Sequence, residues 1–224
     1  MGQGHGTGIL ESALDAVSSN QRRFMTLDES IQRAEHLTQW IGREINGMEI
    51  DSGSRNALAV GCFDTALEHQ RAIVLLIAKG IPGSAFALAR SLFEAYIRGL
   101  WLSHCASEAQ LDRFFRNKDV GVFSELLESV GKIDGFEGGA LQDVKTRAWA
   151  AMNSYTHTGI SQVSRRHGDG GFIEANYSDN EKIEVLNFAC GIGWMAAIAL
   201  CNLAGDIQRA NSILQKIKEL FPKS

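Results

Sequence analysis

The chain has 224 residues, of which 45% are hydrophobic and 21% are charged, and its formal net charge is −4. This length is sufficient for one domain with a substantial core. The weakly acidic balance excludes a general attraction to nucleic acid, so we expect no DNA binding, and any RNA contact must come from a local basic patch.

Helix signals recur along the chain, and strand signals are nearly absent. Only two prolines, Pro82 and Pro222, occur in the sequence, which favours long helices. The glycine-rich start, residues 1–8, is expected to be disordered, and a weak first helix is predicted at 12–23. We therefore predict an all-α fold in which 9–224 form a single-domain bundle of about seven to nine helices.

The first strong helix begins at Thr26-Leu-Asp-Glu29, where the threonine and the glutamate have capping-box spacing. Apolar residues then recur in steps of three and four residues, as on the buried face of a helix. The next helix is predicted over 55–79. A further helix is predicted over 84–106, with Ser84 as its N-cap.

The second half of the chain contains shorter helices before a long apolar one. Ser107-Glu-Ala-Gln110 is another capping box, and helices are predicted at 120–130 and 140–155. The one long irregular stretch, 167–180, is rich in glycine. A terminal amphipathic helix is predicted over 206–220.

Residues 185–205 contain no charged residue and are long enough to span a bilayer. Internal glycines, two asparagines and acidic flanks argue against spanning, and no lysine or arginine cluster anchors either side. We expect a buried central helix of a soluble bundle, with no membrane partner. The four cysteines lack C-x-x-C spacing, so free thiols and a cytoplasmic location are expected.

The helix predicted over 84–106 carries the charged stripe Arg90, Glu94 and Arg98 at spacing i, i+4, i+8. On a helical wheel the stripe lies between a bulky apolar side and a side of mostly small residues, with Trp101 near the charges. Charges so enclosed need partners. Two interpretations stay open. The stripe is either an ion triad that locks the bundle, or a site where Glu94 orients one arginine and the other meets a phosphate-like anion.

Two histidines are candidate functional groups. His69 lies in mid-helix between charged neighbours, where a hydrogen-bonded boundary histidine is the plainer interpretation. His157 stands at a predicted helix end, one turn after Asn153 and beside the long glycine-rich stretch. Loops of that kind often carry function, although an exposed basic helix end would also suit these residues. Three further polar residues follow His157 closely, namely Gln162, Arg165 and Arg166.

No metal or cofactor signature occurs in the sequence. The chain lacks H-E-x-x-H, a Glu-x-x-His pair and the Cys/His spacing of zinc sites. Gly168-Asp-Gly-Gly171 precedes no helix in the manner of a phosphate-binding loop, and no Walker lysine follows it. We expect neither a metal nor a cofactor.

Several segments resemble a group of uncharacterised bacterial helical proteins. They include Glu68-His69, Ser84-Ala-Phe-Ala-Leu-Ala-Arg90-Ser-Leu-Phe-Glu94, and Tyr155-Thr-His157-Thr-Gly159. The resemblance covers roughly residues 60–180. It implies a helical fold and brings no established activity.

More distantly, the chain is similar to the HEPN superfamily of bacterial toxins and defence ribonucleases, which carry an Arg–polar–x-x-x–His motif at a helix end. Asn153-Ser-Tyr-Thr-His157 matches the polar–x-x-x–His part, whereas Met152 stands at the arginine position. The resemblance therefore implies metal-independent RNA cleavage if an arginine from elsewhere supplies the charge. The candidates are Arg90, Arg98 and Arg147.

The sequence favours a non-catalytic binding or interaction module with a buried Arg–Glu–Arg triad, and the alternative is a HEPN-like endoribonuclease of a toxin or phage-defence type. The catalytic candidates are Arg90, Glu94, Arg98 and His157. The binding candidates are His69, Trp101, Asn153, Gln162, Arg165 and Arg166. The expected partners are RNA or a small anionic ligand, and a second copy of the chain in a homodimer.

Overall fold

The structure is a computed structural model that describes residues 25–167 and 171–221. The start at 1–8 and the helix predicted at 12–23 lie outside the described residues. The described parts contain nine α-helices: α1 (Leu27–Ile45), α2 (Ser54–Ala78), α3 (Pro82–His104), α4 (Glu108–Phe115), α5 (Phe123–Val130), α6 (Ala140–Thr156), α7 (Ile160–Val163), α8 (Asp179–Leu203) and α9 (Ile207–Leu220). The predicted all-α, single-domain bundle is confirmed.

Local capping chemistry sets several helix starts. In α1, the Thr26 hydroxyl accepts a hydrogen bond from the Glu29 N–H, and the Glu29 carboxylate accepts one from the Thr26 N–H. The same reciprocal bonds begin α4 at Ser107 and α8 at Ser178. Each box satisfies two backbone donors that lack a partner within the helix.

The start of α3 differs from the prediction that Ser84 caps this helix. Ile81 is the N-cap, and Pro82 occupies the first helical turn. Proline is tolerated there because the N–H that it lacks would have no acceptor within the helix, and its fixed φ already suits helical geometry. α3 therefore begins two residues before Ser84 and ends at His104 rather than at 106.

The core lies where α2, α3 and α8 pack together. Close approach of α2 and α3 depends on Gly99, because a Cβ at that position would lie 2.5 Å from the Phe63 ring. Gly193 of α8 likewise faces the buried side chain of Gln70, with no space for a Cβ. Gly99, on the small side of α3, thus serves helix packing.

α8 is the one helix in the described ranges with the length and composition to cross a membrane. However, 72% of its most apolar window is buried inside the protein. The core helix of a soluble protein passes the same test, so this feature alone is weak evidence for a membrane span. α8 occupies the centre of the bundle, as predicted.

α6 packs on α3 near the charged stripe. The Thr156 hydroxyl at the end of α6 donates to the Ala87 carbonyl, 3.1 Å away, and to the Met152 carbonyl, 2.9 Å away. α5 also contacts α3, because the Phe123 ring meets Phe93 edge-on at 5.8 Å between ring centroids. These contacts bring α6 and α5 to the same part of α3.

Candidate functional site

Arg90 joins α3 to α6 through its guanidinium. Its Nε donates to Glu94 Oε1 at 2.7 Å. Its Nη1 donates to Asn153 Oδ1 and lies 2.9 Å from His157 Nε2. We name Arg90, Glu94, Arg98, Asn153 and His157 the Arg90 cluster. Five of the residues predicted from the sequence are therefore brought together in one place.

Glu94 links both arginines of the stripe. While Oε1 accepts from Arg90, Oε2 accepts from Arg98 Nη2 at 3.4 Å. The side chains of Arg90 and Glu94 are 22% and 20% exposed, whereas that of Arg98 is 43% exposed. The positive charge that one carboxylate cannot balance is thus answered in two ways. Arg90 meets Asn153 and His157, and part of the Arg98 side chain is exposed to solvent.

The contact with Arg90 assigns the tautomer of His157. A guanidinium has only N–H donors, so His157 Nε2 must act as the acceptor, and Nδ1 then carries the proton. A protonated imidazole would place an N–H against the arginine and lose this bond. Nε2 therefore directs its lone pair at Arg90, and a ring nitrogen with a lone pair is the group that can take up a proton.

Trp149 completes the surroundings of Arg90. Its ring centroid lies 4.8 Å from the guanidinium carbon of Arg90, and the ring is stacked on Phe123 at 4.7 Å with an angle of 4°. Sequence reasoning missed this residue. Trp149, Asn153 and His157 share spacing i, i+4, i+8, so the same stripe pattern that identified Arg90 on α3 would have found Trp149 on α6.

The end of α6 holds His157 at the surface. The His157 N–H still donates to the Asn153 carbonyl at 3.1 Å, and Thr158 then adopts a positive φ of 54°. Such a backbone is unfavourable for a β-branched residue. A hydrogen bond from the Gly159 N–H to the Ser154 carbonyl, at 2.6 Å, holds Thr158 in this conformation. Asn153 and His157 are both exposed, so the Arg90 cluster opens to solvent.

The basic residues that follow His157 form a second group. Arg165 binds Glu181 through both Nη atoms and lies over the Tyr177 ring, 5.6 Å from its centroid. The Gln162 amide donates to the Gly83 carbonyl at 3.3 Å. The end of the Arg166 side chain also lies beside Gly83. We name Arg165, Glu181, Tyr155 and Tyr177 the Arg165 cluster, which ties α7 and the following turn (Ser164–Arg166) to α8.

The charge of Glu181 is stabilised in the folded protein. Burial alone would raise the pKa of this carboxyl, but hydrogen bonds from Ser178 and the charge of Arg165 outweigh it and lower the pKa below its ordinary value. In the described ranges, 25–167 and 171–221, no hydrogen bond or ion pair joins Gln162, Arg165 or Arg166 to the Arg90 cluster.

Two other predicted binding residues lie elsewhere. Trp101 is 3% exposed and belongs to the hydrophobic core. His69 is half-buried in α2, and burial lowers its pKa while the nearby Glu68 opposes that shift. Within the described parts of the chain, neither has a hydrogen bond or ring contact to the Arg90 cluster. Trp101 was placed near the charges by the wheel, but a wheel cannot show which neighbouring helix covers a residue.

The cysteines are free and mostly shielded. Burial raises the pKa of Cys62 to about 11 and that of Cys190 to about 12. Thiols with such pKa values are poor nucleophiles near neutral pH, because the thiolate is the reactive form. Among the described residues, no group of three or more His, Cys, Asp or Glu side chains is arranged to hold a metal ion.

Comparison with known proteins identifies one related family. A model described as "Family of unknown function (DUF6988)" matches residues 63–223, which include the charged stripe of α3 and the Asn153–His157 segment. Neither a curated protein nor a solved structure matches the chain. The distant similarity to HEPN proteins stays a prediction. Since the match covers well over half of the sequence, the chain belongs to this family of unknown function.

Proposed function

We propose that the chain is a metal-independent endoribonuclease whose reactive centre is the Arg90 cluster. The observation that carries the proposal is the meeting of Arg90 Nη1 with both Asn153 and His157 at an exposed surface. Position 152, where the HEPN-type motif has arginine, is methionine. Arg90 from α3 stands beside the polar–x-x-x–His pair and would supply that charge from another helix.

The chemistry is cleavage of RNA by its own 2′-hydroxyl. His157 Nε2 takes the proton of the 2′-hydroxyl as the oxygen attacks the adjacent phosphorus. The bond from phosphorus to the 5′-oxygen breaks, and the leaving oxygen takes a proton from water. The hydroxide ion so formed accepts the proton that His157 holds, which returns the base to its starting form. The products are a 2′,3′-cyclic phosphate and a 5′-hydroxyl end.

Substrate binding would free the lone pair of His157. In the structure this lone pair is engaged by Arg90 Nη1. A phosphate is an anionic acceptor, and its charge-assisted bonds with a guanidinium are stronger than the bond to a neutral imidazole. The incoming phosphate therefore replaces His157 as a partner of Arg90. One displacement both binds the substrate and exposes the base.

Glu94 and Trp149 act on Arg90 rather than on the substrate. Glu94 holds the Nε edge, and Trp149 covers one face of the guanidinium. A guanidinium oriented in advance can stabilise the charge that develops on the phosphorane oxygens without reorganising during the reaction. Glu94 and Trp149 are therefore positioning residues.

Arg98 would hold a neighbouring part of the RNA backbone. It follows Arg90 by eight residues on the same helix, which is about 12 Å of rise. Its side chain is 43% exposed, and its one ion pair among the described residues is the 3.4 Å contact with Glu94. Arg166 is also exposed, whereas Arg165 already binds Glu181. Arg98 and Arg166 are therefore better suited to RNA phosphates than Arg165 is.

The test compares the wild-type protein with His157→Ala on end-labelled RNA in EDTA. Loss of a general base costs about 100- to 10,000-fold in rate. The fold should persist because His157 is exposed, and His36→Ala, which changes an exposed histidine on α1, is the matched control. Products should carry 2′,3′-cyclic phosphate, and a 2′-O-methylated substrate should stay intact. Equal cleavage by wild-type and His157→Ala proteins would contradict the proposal.

A second candidate function, a module that binds a small anion without turnover, is favoured by the mutual satisfaction of the cluster. Glu94 serves both arginines, and Asn153 ties Arg90 to α6, as a structural lock would. Calorimetric titration with inorganic phosphate and a short oligonucleotide separates the two functions. Binding that requires Arg90, with no RNA cleavage in any condition, would favour the module.

A further inference from the structure

A cavity of about 250 Å³ lies away from the Arg90 cluster, between α3, α8 and the loop that connects α5 to α6. Its inner wall is apolar and rich in rings. The residues that form this wall include Phe63, Tyr96, Leu100, Trp194 and Met195. All five are at most 4% exposed, so the wall is part of the packed core rather than a loose surface groove.

Two glycines shape this cavity. Gly99 lets the Phe63 ring lie against the backbone of α3, which fixes one wall. Gly135, in the loop between α5 and α6, is buried and adopts a φ of 91° that other residues rarely take. This turn brings the loop residues Ile133, Asp134 and Phe136 to the cavity, where they form part of its lining.

Tyr96 places a polar group at the cavity wall without a partner from the chain. The residue is 2% exposed, and within the described ranges no hydrogen bond involves its hydroxyl. A hydroxyl at a cavity wall that makes no hydrogen bond to the described chain is available to a guest in the cavity. Ser103, also in the wall, differs because its hydroxyl donates to the Gly99 and Leu100 carbonyls at 2.9 and 3.0 Å.

The mouth of the cavity is polar. His104, Asp134 and Asn202 line the cavity and are exposed, so they lie towards solvent while the ring-rich wall lies inside. A cavity with an apolar wall and a few polar groups is the usual form of a small-molecule site. A guest with one polar edge could keep that edge at the polar mouth while its apolar surface contacts the inner wall.

We infer that this cavity binds a small aromatic molecule of one or two fused rings that carries one N–H or O–H group. An apolar cavity of about 150 Å³ holds benzene, so one of about 250 Å³ has space for a bicyclic ring system. The flat walls of Phe63 and Trp194 suit an aromatic guest. The Tyr96 hydroxyl supplies the hydrogen bond. This site is independent of the proposed RNA chemistry.

Indole and indene test the inference, because they have nearly the same shape and only indole has an N–H group. Ligand-detected NMR titration of the whole chain should show saturable binding of both, with indole about fivefold tighter, the effect of one hydrogen bond. In Tyr96→Phe the preference should vanish while indene binding stays unchanged. This variant should fold normally, because the hydroxyl that it removes has no partner in the described chain.

A cavity-filling variant locates the site. Ala199 of α8 lines the cavity, so Ala199→Phe should abolish binding of both probes, and the milder Ala199→Leu should weaken it if the first variant fails to fold. The side-chain N–H signal of Trp194 should shift on titration, and that of Trp40 on α1 should not. Absence of saturable binding at low millimolar concentration, or binding that both Ala199 variants leave intact, would overturn the inference.

Discussion

Arg90 and Arg165 have similar immediate surroundings and different consequences for the molecule. Each pairs with a glutamate, Arg90 with Glu94 and Arg165 with Glu181. Each guanidinium also lies over an aromatic ring. The difference is the sequence distance to the carboxylate, which is one helical turn for Arg90 and sixteen residues for Arg165.

This distance decides what each arginine can do. The carboxylate one turn away accepts from Nε of Arg90, so Nη1 can reach Asn153 on α6 and His157 at the end of α6. A distant carboxylate takes both Nη atoms of Arg165 and thereby fixes the chain between α7 and α8. The local ion pair of Arg90 leaves Nη1 for contacts with Asn153, His157 and a guest, whereas the long-range pair of Arg165 occupies both of its Nη atoms.

Conversion of each arginine to lysine should separate these roles most clearly. Lysine keeps the charge but loses the planar fork. We expect Arg90→Lys to lower RNA cleavage about 100-fold, as the loss of one transition-state donor does, with a nearly unchanged melting temperature. Arg165→Lys should leave cleavage within a few-fold and lower the free energy of unfolding by on the order of 1 kcal/mol.

Cleavage rates in EDTA and chemical denaturation of both variants provide the measurement. Arg116→Lys, at an exposed i, i+4 pair with Asp112, is the control that should change neither quantity. The opposite pattern, in which Arg165→Lys removes cleavage and Arg90→Lys only lowers stability, would reverse the assignment of the two clusters.

Substitution of Trp149 should have the next largest effect on RNA cleavage, because its ring contacts one face of the Arg90 guanidinium and no other part of the Arg90 cluster is removed. Removal of the ring in Trp149→Leu deletes a contact worth about 0.5–1 kcal/mol, so cleavage should fall by roughly two- to fivefold, with KM for RNA little changed. Trp149→Phe keeps a ring and should recover part of the rate. Steady-state kinetics of RNA cleavage measure this contribution of the Trp149 ring, and Trp40→Leu on α1 is the control. Equal rates for the Leu and Phe variants would argue against ring support.

The smallest expected effect is on how the free energy of unfolding changes with pH through Glu181 of the Arg165 cluster. Because the folded-state pKa of Glu181 lies below its ordinary value of 4.5, the stabilisation is present above that pH and is lost as the pH falls through the folded-state pKa. Glu181→Gln should therefore be less stable than the wild-type protein at pH 7 and should lose less stability on acidification below about pH 4.5. Denaturation curves from pH 7 to pH 3 measure both slopes.

An exposed carboxylate supplies the control for that experiment. Glu128→Gln changes a residue whose side chain is 68% exposed in a pair with Lys132. Its stability should follow that of the wild-type protein at every pH, because surface pairs contribute little. If Glu181→Gln also follows the wild-type curve, the Arg165–Glu181 pair does not hold the segment between α7 and α8.

Local patterns in the sequence determined the helical class, most helix positions and the residues worth testing. Capping boxes at Thr26, Ser107 and Ser178 act between residues three positions apart, so they are visible without a fold. The stripe from Arg90 to Arg98 and the Asn153–His157 pair were visible for the same reason, because side chains one turn apart share a helix face.

Which of these stripes meet depends on how the helices pack. Arg90, Arg98 and Arg147 were equal candidates in the sequence, and the packing of α6 on α3 selected Arg90, while the side chain of Arg147 is 83% exposed. The pairing of Arg165 with Glu181 and the enclosure of Tyr96 likewise depend on contacts between distant segments. Helix periodicity specifies which residues share a face, but the identity of the opposite face depends on how whole helices pack against one another.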